Sequence, residues 1–241
     1  MTKRPFLSVI LPLYNEEKRI KNVNRIIKFL STKSFSWELI LVNDGSTDGT
    51  GKALKKFSHP NIKSVSSAIN QGKGHAVKQG MLAASGRYRL FMDVDLSTPI
   101  GELDKFLPSL EKFAVLIGTR KGSGAKVVVH QPWLRENLGK GFTLLSQLFL
   151  GVPVSDFTCG FKVFSAPCAK EVFQRSRINR WGFDSEVLFL CHKYGFSIKE
   201  IPVTWKDDVR TRVKFPQDIV RSLTELLTIR WNSIRGVYQL T

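Results

Sequence analysis

The sequence of 241 residues predicts an α/β fold in which helices flank a mostly parallel central sheet. Short apolar runs alternate with helical patterns through the first half of the chain, and this alternation is typical of βαβ units. Polar runs, Asn43-Asp44-Gly45-Ser46 and Asp93-Val94-Asp95, follow two of the apolar runs where the strands should end. Since open parallel sheets bind ligands at the carboxyl ends of their strands, these runs predict a ligand site at that edge.

The predicted elements follow one another regularly up to residue 118. Strands are expected near 6–13, 37–43, 62–65, 87–93 and 114–118, and helices near 17–31, 48–57, 74–84 and onward from 100. Pro99 suits the start of the last of these helices, because proline is tolerated in a first helical turn. The alternation becomes irregular after a flexible loop at 121–126. An apolar content of 42% is enough for one substantial core, so we expect a single domain with one half at 1–120 and another at 121–241.

A third polar run follows the first predicted strand, and it leads through Pro12, Tyr14 and Glu16 into a helix. At another strand end, Asp93 and Asp95 lie one residue apart, and such a pair can meet one hard cation that also bridges phosphate oxygens. Asp-Gly and Asp-Val-Asp also occur in ordinary turns. The convergence of three such loops nevertheless favours an enzyme that binds a nucleotide diphosphate with a divalent cation, Mg²⁺ or Mn²⁺.

The segment Asn70-Gln71-Gly72-Lys73-Gly74-His75 precedes a predicted helix. It lacks the glycine spacing and the Lys-Ser/Thr ending of a phosphate-binding loop, so a tight turn before the helix is the favoured interpretation. Lys73 could still reach a nucleotide bound at the neighbouring strand ends.

The net charge of +17 points to an anionic partner. Nucleic acid, an anionic membrane surface and a polyphosphate substrate would each attract such a chain. The basic residues are scattered and are not interleaved with stacking aromatics, which argues against nucleic acid. We therefore expect a phosphorylated substrate and contact with a membrane surface.

The chain shows no apolar run of the roughly 20 residues that a membrane-spanning helix needs, and its first residues lack the apolar core of a signal peptide. The three cysteines show no metal-ligand spacing, and this usage suits a reducing cytoplasm. Apolar residues recur at helical spacing between Trp133 and Leu150, with Arg135 and Lys140 alongside, and again between Val220 and Tyr238. Each stretch predicts an amphipathic helix that lies either in a membrane interface or against the core.

Several motifs together resemble family 2 of the inverting GT-A glycosyltransferases, and within it the polyprenyl- and dolichyl-phosphate sugar transferases. The broad match rests on the three strand-end runs above. The narrower match rests on later strings, which look closer to the glucosyl than to the mannosyl enzymes. These strings are Gly118-Thr119-Arg120, Asp156-Phe157-Thr158-Cys159-Gly160-Phe161-Lys162, Arg180-Trp181-Gly182-Phe183-Asp184-x-Glu186 and Ile201-Pro202-Val203-Thr204-Trp205.

The resemblance implies the Rossmann-like GT-A fold and a set of site residues. Asp44 would contact the base, Asp93 would lie near the ribose and sugar, and Asp184 is a candidate catalytic group. Asp95 would bind the cation, and Ser97 stands where some relatives have a further ligand, Gln; a water could fill that place. Residues expected to line the sugar-nucleotide site are Pro12, Tyr14, Glu16, Val42, Asp44, Lys73, Asp93, Val94, Asp95, Arg120, Lys206 and Arg212, with Arg210 as an alternative to Arg212. Asp156 and Glu186 are candidates for a base or for shaping the sugar site, and equally for orienting an arginine or capping a helix.

The resemblance also implies the reaction: inverting transfer of a hexose, with UDP-glucose as the expected donor, to a polyprenyl or dolichyl phosphate. Arg135 and Lys140 would then lie near the acceptor phosphate. The protein would work on the cytoplasmic face of a membrane, bound peripherally or through a membrane-anchoring partner subunit. A GDP-mannose donor, a non-lipid acceptor and a catalytically inactive membrane-binding adaptor stay open as alternatives.

Overall fold

The computed structural model describes residues 4–130, 132–208 and 217–239, and the side chains of 134, 135 and 217–219 are not among those described. The described strands are β1 (Leu7–Leu13), β2 (Trp37–Asp44), β3 (Ile62–Ser67), β4 (Tyr88–Met92), β5 (Val115–Thr119), β6 (Lys126–Val129), β7 (Phe161–Ser165), β8 (Ile198–Pro202) and β9 (Thr204–Lys206). The described α-helices are α1 (Asn22–Ser31), α2 (Thr50–Leu54), α3 (Lys73–Ala83), α4 (Leu103–Phe106), α5 (Trp133–Leu150), α6 (Ala166–Arg175), α7 (Phe183–Lys193) and α8 (Gln217–Ile234).

Seven strands form the central sheet in the order β3-β2-β1-β4-β7-β5-β8. All neighbours are parallel except β7, which runs antiparallel to both β4 and β5. The remaining strands, β6 and β9, form a separate parallel pair. The order reverses direction at β1, so the carboxyl ends of β1, β2 and β4 lie side by side, and this is the place where open α/β sheets bind ligands.

Two apolar layers cover the two faces of the sheet. Successive side chains of a strand point to opposite faces. In β2, Ile40 and Val42 therefore join a layer with α3, α6 and α7, whereas Leu39 and Leu41 join a layer with α1 and α4. All four of these side chains are completely buried.

The elements predicted for the first half are confirmed as strands and helices, with shifts at their ends. The largest shift is in α1, which begins at Asn22 and not near residue 17. The Glu16 carbonyl accepts hydrogen bonds from the backbone N–H groups of Arg19 (2.8 Å) and Ile20 (2.9 Å), so a separate turn precedes the helix. The predicted helix at 48–57 is limited to α2. Residues 121–125 form the expected loop, after which β6 begins.

A buried polar cluster joins the strands at the opposite edge of the sheet. Glu38 accepts hydrogen bonds from the hydroxyl of Ser8 (2.6 Å), the ammonium of Lys63 (2.7 Å) and the backbone N–H of Ser85 (2.6 Å). Burial opposes its ionisation, but these donors prevail and lower the pKa of Glu38 to about 2. The cluster ties β1, β2 and β3 to the turn that precedes β4.

The two predicted amphipathic helices are α5 and α8, which pack against each other. In α5, Phe142 and Leu145 are partly buried against the core, so of the two alternatives that the sequence left open, packing against the core holds for these two side chains. Among the described side chains of α5, the exposed large apolar ones are Trp133, Leu138, Leu144, Leu148 and Phe149.

In α8, the apolar residues divide between the core and the surface. Leu226 and Ile229 are buried, whereas Val220, Leu227, Trp231 and Ile234 are exposed on the other side of the helix. Among the described residues, none of the helices combines the length and the apolar character needed to span a bilayer.

Candidate active site

The loops after β1 and β2 are interlocked by hydrogen bonds. Asn15 adopts a left-handed conformation (φ 52°), which turns its side-chain oxygen toward the backbone N–H groups of Thr47 (2.7 Å) and Asp48 (3.3 Å). In return, the Ser46 hydroxyl accepts the N–H of Asn15 (2.9 Å), and the Thr50 hydroxyl accepts that of Glu16 (2.7 Å). The two polar runs therefore form one rigid surface at the sheet edge, as the sequence predicts.

Asp44 is buried and faces the turn that precedes α3. Its carboxylate accepts hydrogen bonds from the Asn70 side-chain amide (2.8 Å) and from the backbone N–H groups of Gln71 (3.1 Å) and Gly72 (2.8 Å). Residues 70–72 thus form a turn and 73–75 open α3, as expected for a segment that lacks the glycine spacing of a phosphate-binding loop. The contact between Asp44 and a nucleotide base stays a prediction, because these donors already engage both carboxylate oxygens.

Asp93, Val94 and Asp95 leave the carboxyl end of β4 in a tight loop. The Asp95 carboxylate accepts the backbone N–H of Ser97 (2.8 Å), and Leu96 adopts a left-handed conformation (φ 58°) that is uncommon for a leucine. Asn22 donates to the Val94 carbonyl (2.9 Å), which ties this loop to the start of α1. Burial, reinforced by the Asp93 charge, raises the pKa of Asp95.

Lys73, the first residue of α3, reaches the loop after β4. Its ammonium lies 2.7 and 2.9 Å from the two carboxylate oxygens of Asp93 and 5.8 Å from the centre of the Trp181 ring. Burial lowers the pKa of Lys73, but the Asp93 and Asp184 charges outweigh that effect, so the pKa is raised and the lysine stays charged. The structure therefore brings Lys73, Asp93 and Asp95 together at the carboxyl end of β4.

Arg120 follows β5 and lies against Asp156. Its guanidinium donates to both Asp156 oxygens (2.8 Å each) and to the Thr158 hydroxyl (2.7 Å), and it lies 5.3 Å from the Trp205 ring centre. The side chain of Arg120 is 22% exposed, whereas Asp156 is buried. Burial lowers the pKa of Arg120, but Asp156 more than compensates and the pKa is raised. Asp156 thus orients the arginine, one of the roles that the sequence left open.

Asp184, the second residue of α7, forms a buried ion pair with Lys162 of β7. The Lys162 ammonium also donates to the Cys159 carbonyl (2.7 Å). Burial raises the pKa of Asp184, and the ammonium groups of Lys162 and Lys73 oppose that shift. The Asp184 charge also contributes to raising the pKa of Arg120, so the pairs Lys162–Asp184 and Arg120–Asp156 belong to one electrostatic network.

Other residues in the expected site have different environments. Near the end of β1, Pro12 is half-buried and Tyr14 is 36% exposed. Glu16 forms an ion pair with Arg19 (3.0 Å). The Val42 side chain is fully buried, which leaves only its backbone for a ligand. The backbone N–H of Lys206 donates to the Ser97 carbonyl (2.9 Å), which places β9 beside the loop after β4.

Lys140 and three arginines are also expected to contact the substrates. Lys140 on α5 pairs with Glu136 (2.9 Å). Arg212, its alternative Arg210 and the side chain of Arg135 lie outside the described residues.

The part of the chain that is described holds no cluster of three or more His, Cys, Asp or Glu side chains arranged for a metal ion. Asp93 and Asp95 nevertheless fit a divalent cation that a diphosphate helps to bind, because Mg²⁺ commonly takes one or two carboxylates together with substrate phosphates. The raised pKa of Asp95 reflects burial first and the neighbouring Asp93 charge second, which the Ser97 N–H and Lys73 offset only in part. Asp95 would hold the cation, with Asp93 beside it; whether the Ser97 hydroxyl contributes stays a prediction.

Sequence reasoning did not assign a role to Lys162, Trp181 or Gly160. A lysine inside the apolar run Phe161-Lys162-Val163-Phe164 is itself a signal, because a fully buried ammonium needs a charged partner. Gly160 lies so close to Asp93 that a Cβ atom would be 2.1 Å from the Asp93 Oδ2 atom. No local pattern predicts that approach, which depends on the antiparallel pairing of β7.

Residues 8–173 match the family model described as glycosyl transferase family 2. The chain belongs to glycosyltransferase family 2. It is 31% identical over 251 residues to the dolichyl-phosphate beta-glucosyltransferase of Dictyostelium discoideum, an alignment that covers 98% of this chain and 77% of the relative. The Saccharomyces cerevisiae protein of the same name is also 31% identical, with 97% and 77% covered. The chain is thus a glycosyltransferase similar to the dolichyl-phosphate beta-glucosyltransferases.

Solved structures confirm the GT-A fold. Glucosyl-3-phosphoglycerate synthase from Mycobacterium tuberculosis in complex with uridine-diphosphate superimposes with a TM-score of 0.69 and 19% identity, covering 94% of this chain and 80% of that one. The complex of the same enzyme with Mn²⁺, uridine-diphosphate and glucosyl-3-phosphoglycerate gives a TM-score of 0.66 at 20% identity, with the same coverage.

Proposed function

We propose that this glycosyltransferase moves glucose from UDP-glucose to a polyprenyl or dolichyl phosphate, with inversion at the anomeric carbon. The observation that carries the proposal is the charged network at the carboxyl edge of the sheet, which consists of the ion pairs Lys73–Asp93, Arg120–Asp156 and Lys162–Asp184. The names of the relatives support the donor sugar and the lipid acceptor. The fold neighbours that bind UDP with Mn²⁺ or Mg²⁺ support the nucleotide and the cation.

The chemistry asks the protein mainly to position its substrates and to stabilise charge. A phosphate acceptor is already anionic near neutral pH, so its oxygen can attack the anomeric carbon without a strong base. The carbon–oxygen bond to the leaving diphosphate breaks on the opposite face of the sugar, which inverts the anomeric centre. A cation at Asp95 would neutralise charge on the diphosphate.

The chain's own residues have separable roles in this proposal. Arg120, held by Asp156 and partly exposed, would contact phosphate oxygens, and Lys73 would keep Asp93 oriented toward the sugar. Asp184, set between Lys162 and Lys73, would shape the sugar site. Tyr14, Asp44 and the backbone of Val42 would border the nucleotide, and Lys206 and Arg212 would contact its phosphates.

The lipid acceptor requires contact with a membrane, and the exposed apolar residues of α5 and α8 are the proposed contact. Arg135 and Lys140 would lie near the acceptor phosphate or the lipid headgroups, on the cytoplasmic face. A membrane-anchoring partner subunit is the other route by which the same surface could reach the lipid.

A labelled-donor assay tests the proposal. The purified protein is incubated with radiolabelled UDP-glucose, Mn²⁺ and a polyprenyl phosphate in detergent, and the product is extracted into chloroform. We expect chloroform-soluble label with this acceptor and none with 3-phosphoglycerate. Asp95→Ala should abolish transfer and cation-dependent UDP binding while the protein stays folded. Label that moves only with GDP-mannose, or only to a water-soluble acceptor, would contradict the proposal.

A further inference from the structure

A buried carboxylate behind the charged network holds the backbone of a loop that borders it. Glu186 of α7 is fully buried and accepts hydrogen bonds from the backbone N–H groups of Arg177 (2.9 Å) and Ile178 (2.8 Å). It also accepts the hydroxyl of Tyr238 (2.6 Å). The two backbone N–H groups can only donate and the Tyr238 hydroxyl can also donate, so an ionised carboxylate would satisfy all three partners at once. Burial raises the pKa of Glu186, and the hydrogen bonds from these three partners oppose that shift.

The loop that Glu186 holds, 177–182, contacts the start of α3. The Asn179 carbonyl accepts the backbone N–H of His75 (3.1 Å). The packing is close, because a Cβ atom at Gly72 would lie 2.4 Å from the Asn179 carbonyl oxygen and one at Gly74 would lie 2.6 Å from that of Ile178. The loop therefore fixes the backbone on both sides of Lys73, and its Trp181 ring lies 5.8 Å from the Lys73 ammonium.

Tyr238 connects this arrangement to the turn that follows α8. Its side chain is completely buried, its ring lies edge-on to Phe189, and its carbonyl accepts the hydroxyl of Tyr194 (2.6 Å). Burial, together with the Glu186 charge, raises the pKa of Tyr238. The phenol thus keeps its proton and remains a donor to Glu186. The Tyr238 hydroxyl adds a hydrogen bond to the buried carboxylate, whereas phenylalanine would fill the same space without that bond.

We propose that Glu186 and Tyr238 are positioning residues, which hold the loop 177–182 so that Lys73 and Asp184 keep the arrangement that sugar transfer requires. The inference rests on the proposed function for its catalytic consequence, but the contacts themselves do not depend on it. Glu186 also follows Asp184 by two residues on α7, so any shift of its carboxylate is transmitted to the start of that helix as well as to the loop. Neither residue reaches the reacting atoms.

The test compares two variants with a control. Tyr238→Phe removes the hydroxyl that donates to Glu186, and Glu186→Gln places an amide against donors. Tyr194→Phe is the matched control, because it removes a phenol hydroxyl that bonds to the Tyr238 carbonyl but leaves the hydrogen bonds of Glu186 in place. We expect Tyr238→Phe and Glu186→Gln to lower kcat about tenfold, because small misplacements of positioned groups cost that much or more. Calorimetry with UDP should give nearly unchanged affinity, and Tyr194→Phe should keep near-normal kcat.

Hydrogen exchange provides a readout that is independent of transfer. The amides of Arg177 and Ile178 should exchange faster in Tyr238→Phe than in Tyr194→Phe, at a temperature where both remain folded. Equal exchange in the two variants, or equal loss of kcat in both, would overturn the proposed role of Glu186. The effect would then come from a general loss of stability in this part of the fold. A native protein that transfers no glucose contradicts the proposed function alone, and the exchange result then decides the positioning role.

Discussion

Gly160 and Asp93 show how closely two distant parts of the chain approach each other at the site. A methyl group at 160 would overlap the Asp93 carboxylate, whose side chain can rotate away at little cost to folding. We therefore expect Gly160→Ala to remain folded but to lose most of its transferase activity, since the Lys73–Asp93 pair is displaced. Gly141→Ala is the control: no atom lies within 4 Å of its Cβ position, and alanine favours the helix. Thermal melting and kcat of both variants check this; normal activity in Gly160→Ala would show that Asp93 tolerates displacement.

Glu38 makes stability depend on pH. Its pKa in the folded protein is about 2, below the ordinary value of 4.5, so its ionised form stabilises the fold at pH values above 4.5. That contribution, about 3 kcal/mol, is lost as the pH falls from 4.5 toward 2. Glu38→Gln should therefore lower the free energy of unfolding at pH 7, and its difference from the native protein should shrink in acid.

Urea unfolding at pH 7 and at pH 3.5 measures that difference for Glu38. Glu111→Gln serves as the control, because Glu111 forms an exposed pair with Arg87 and such pairs contribute roughly 0–1 kcal/mol. A constant difference between the native protein and Glu38→Gln at both pH values would mean that folding does not lower the pKa of this carboxyl.

At the level of single elements, α5 contains both a core face and an exposed apolar face, and the two can be separated. Replacing Phe142 and Leu145 by Ser removes core contacts, so the melting temperature should fall sharply, by the equivalent of several kcal/mol. Replacing Leu144 and Leu148 by Ser also removes two large apolar side chains, but from exposed positions. This pair should keep the melting temperature but reduce flotation with liposomes and transfer to a long-chain acceptor. If both pairs lower stability equally, the exposed face of α5 is not a membrane contact.

The strands and helices of the first half follow from the sequence because their side chains alternate with the period of the element that they form. The strand order does not follow, because the pairing of β7 between β4 and β5 depends on contacts across the whole second half. The carboxylates at the strand ends could be predicted for the same reason as the strands. Lys162 and Glu186 could be noticed as charges in apolar surroundings. The partner of Lys162 depends on how α7 meets β7, and the partners of Glu186 depend on the loop 177–182 and the turn after α8.

For the whole molecule, the net charge of +17 should govern encounter with a membrane, and the exposed apolar side chains should govern retention. Binding to vesicles that contain anionic phospholipid should weaken as salt is raised from about 0.1 M to 1 M, because the screening length falls from about 10 Å to about 3 Å. Binding to neutral vesicles should be weaker and almost independent of salt. A sedimentation assay across this salt range measures both.

Two double variants test whether positive charges at the end of α8 attract the anionic membrane. Arg230→Gln combined with Arg235→Gln should weaken binding to anionic vesicles more than Lys55→Gln combined with Lys56→Gln, although each pair removes two exposed positive charges. Equal losses would assign the attraction to overall charge and not to the surface that α8 presents.

The antiparallel strand β7 also has a consequence for how the protein is made. Strands β2, β3 and β4 each pair with a strand that has already left the ribosome, but in the described sheet β5 lies between β7 and β8, which are synthesised more than forty residues later. Until β7 emerges, β4 presents an open, apolar edge and β5 has no sheet to join. Such edges promote association between nascent chains. The interval between the synthesis of β5 and that of β7 is therefore the stage at which a chaperone would be of most use.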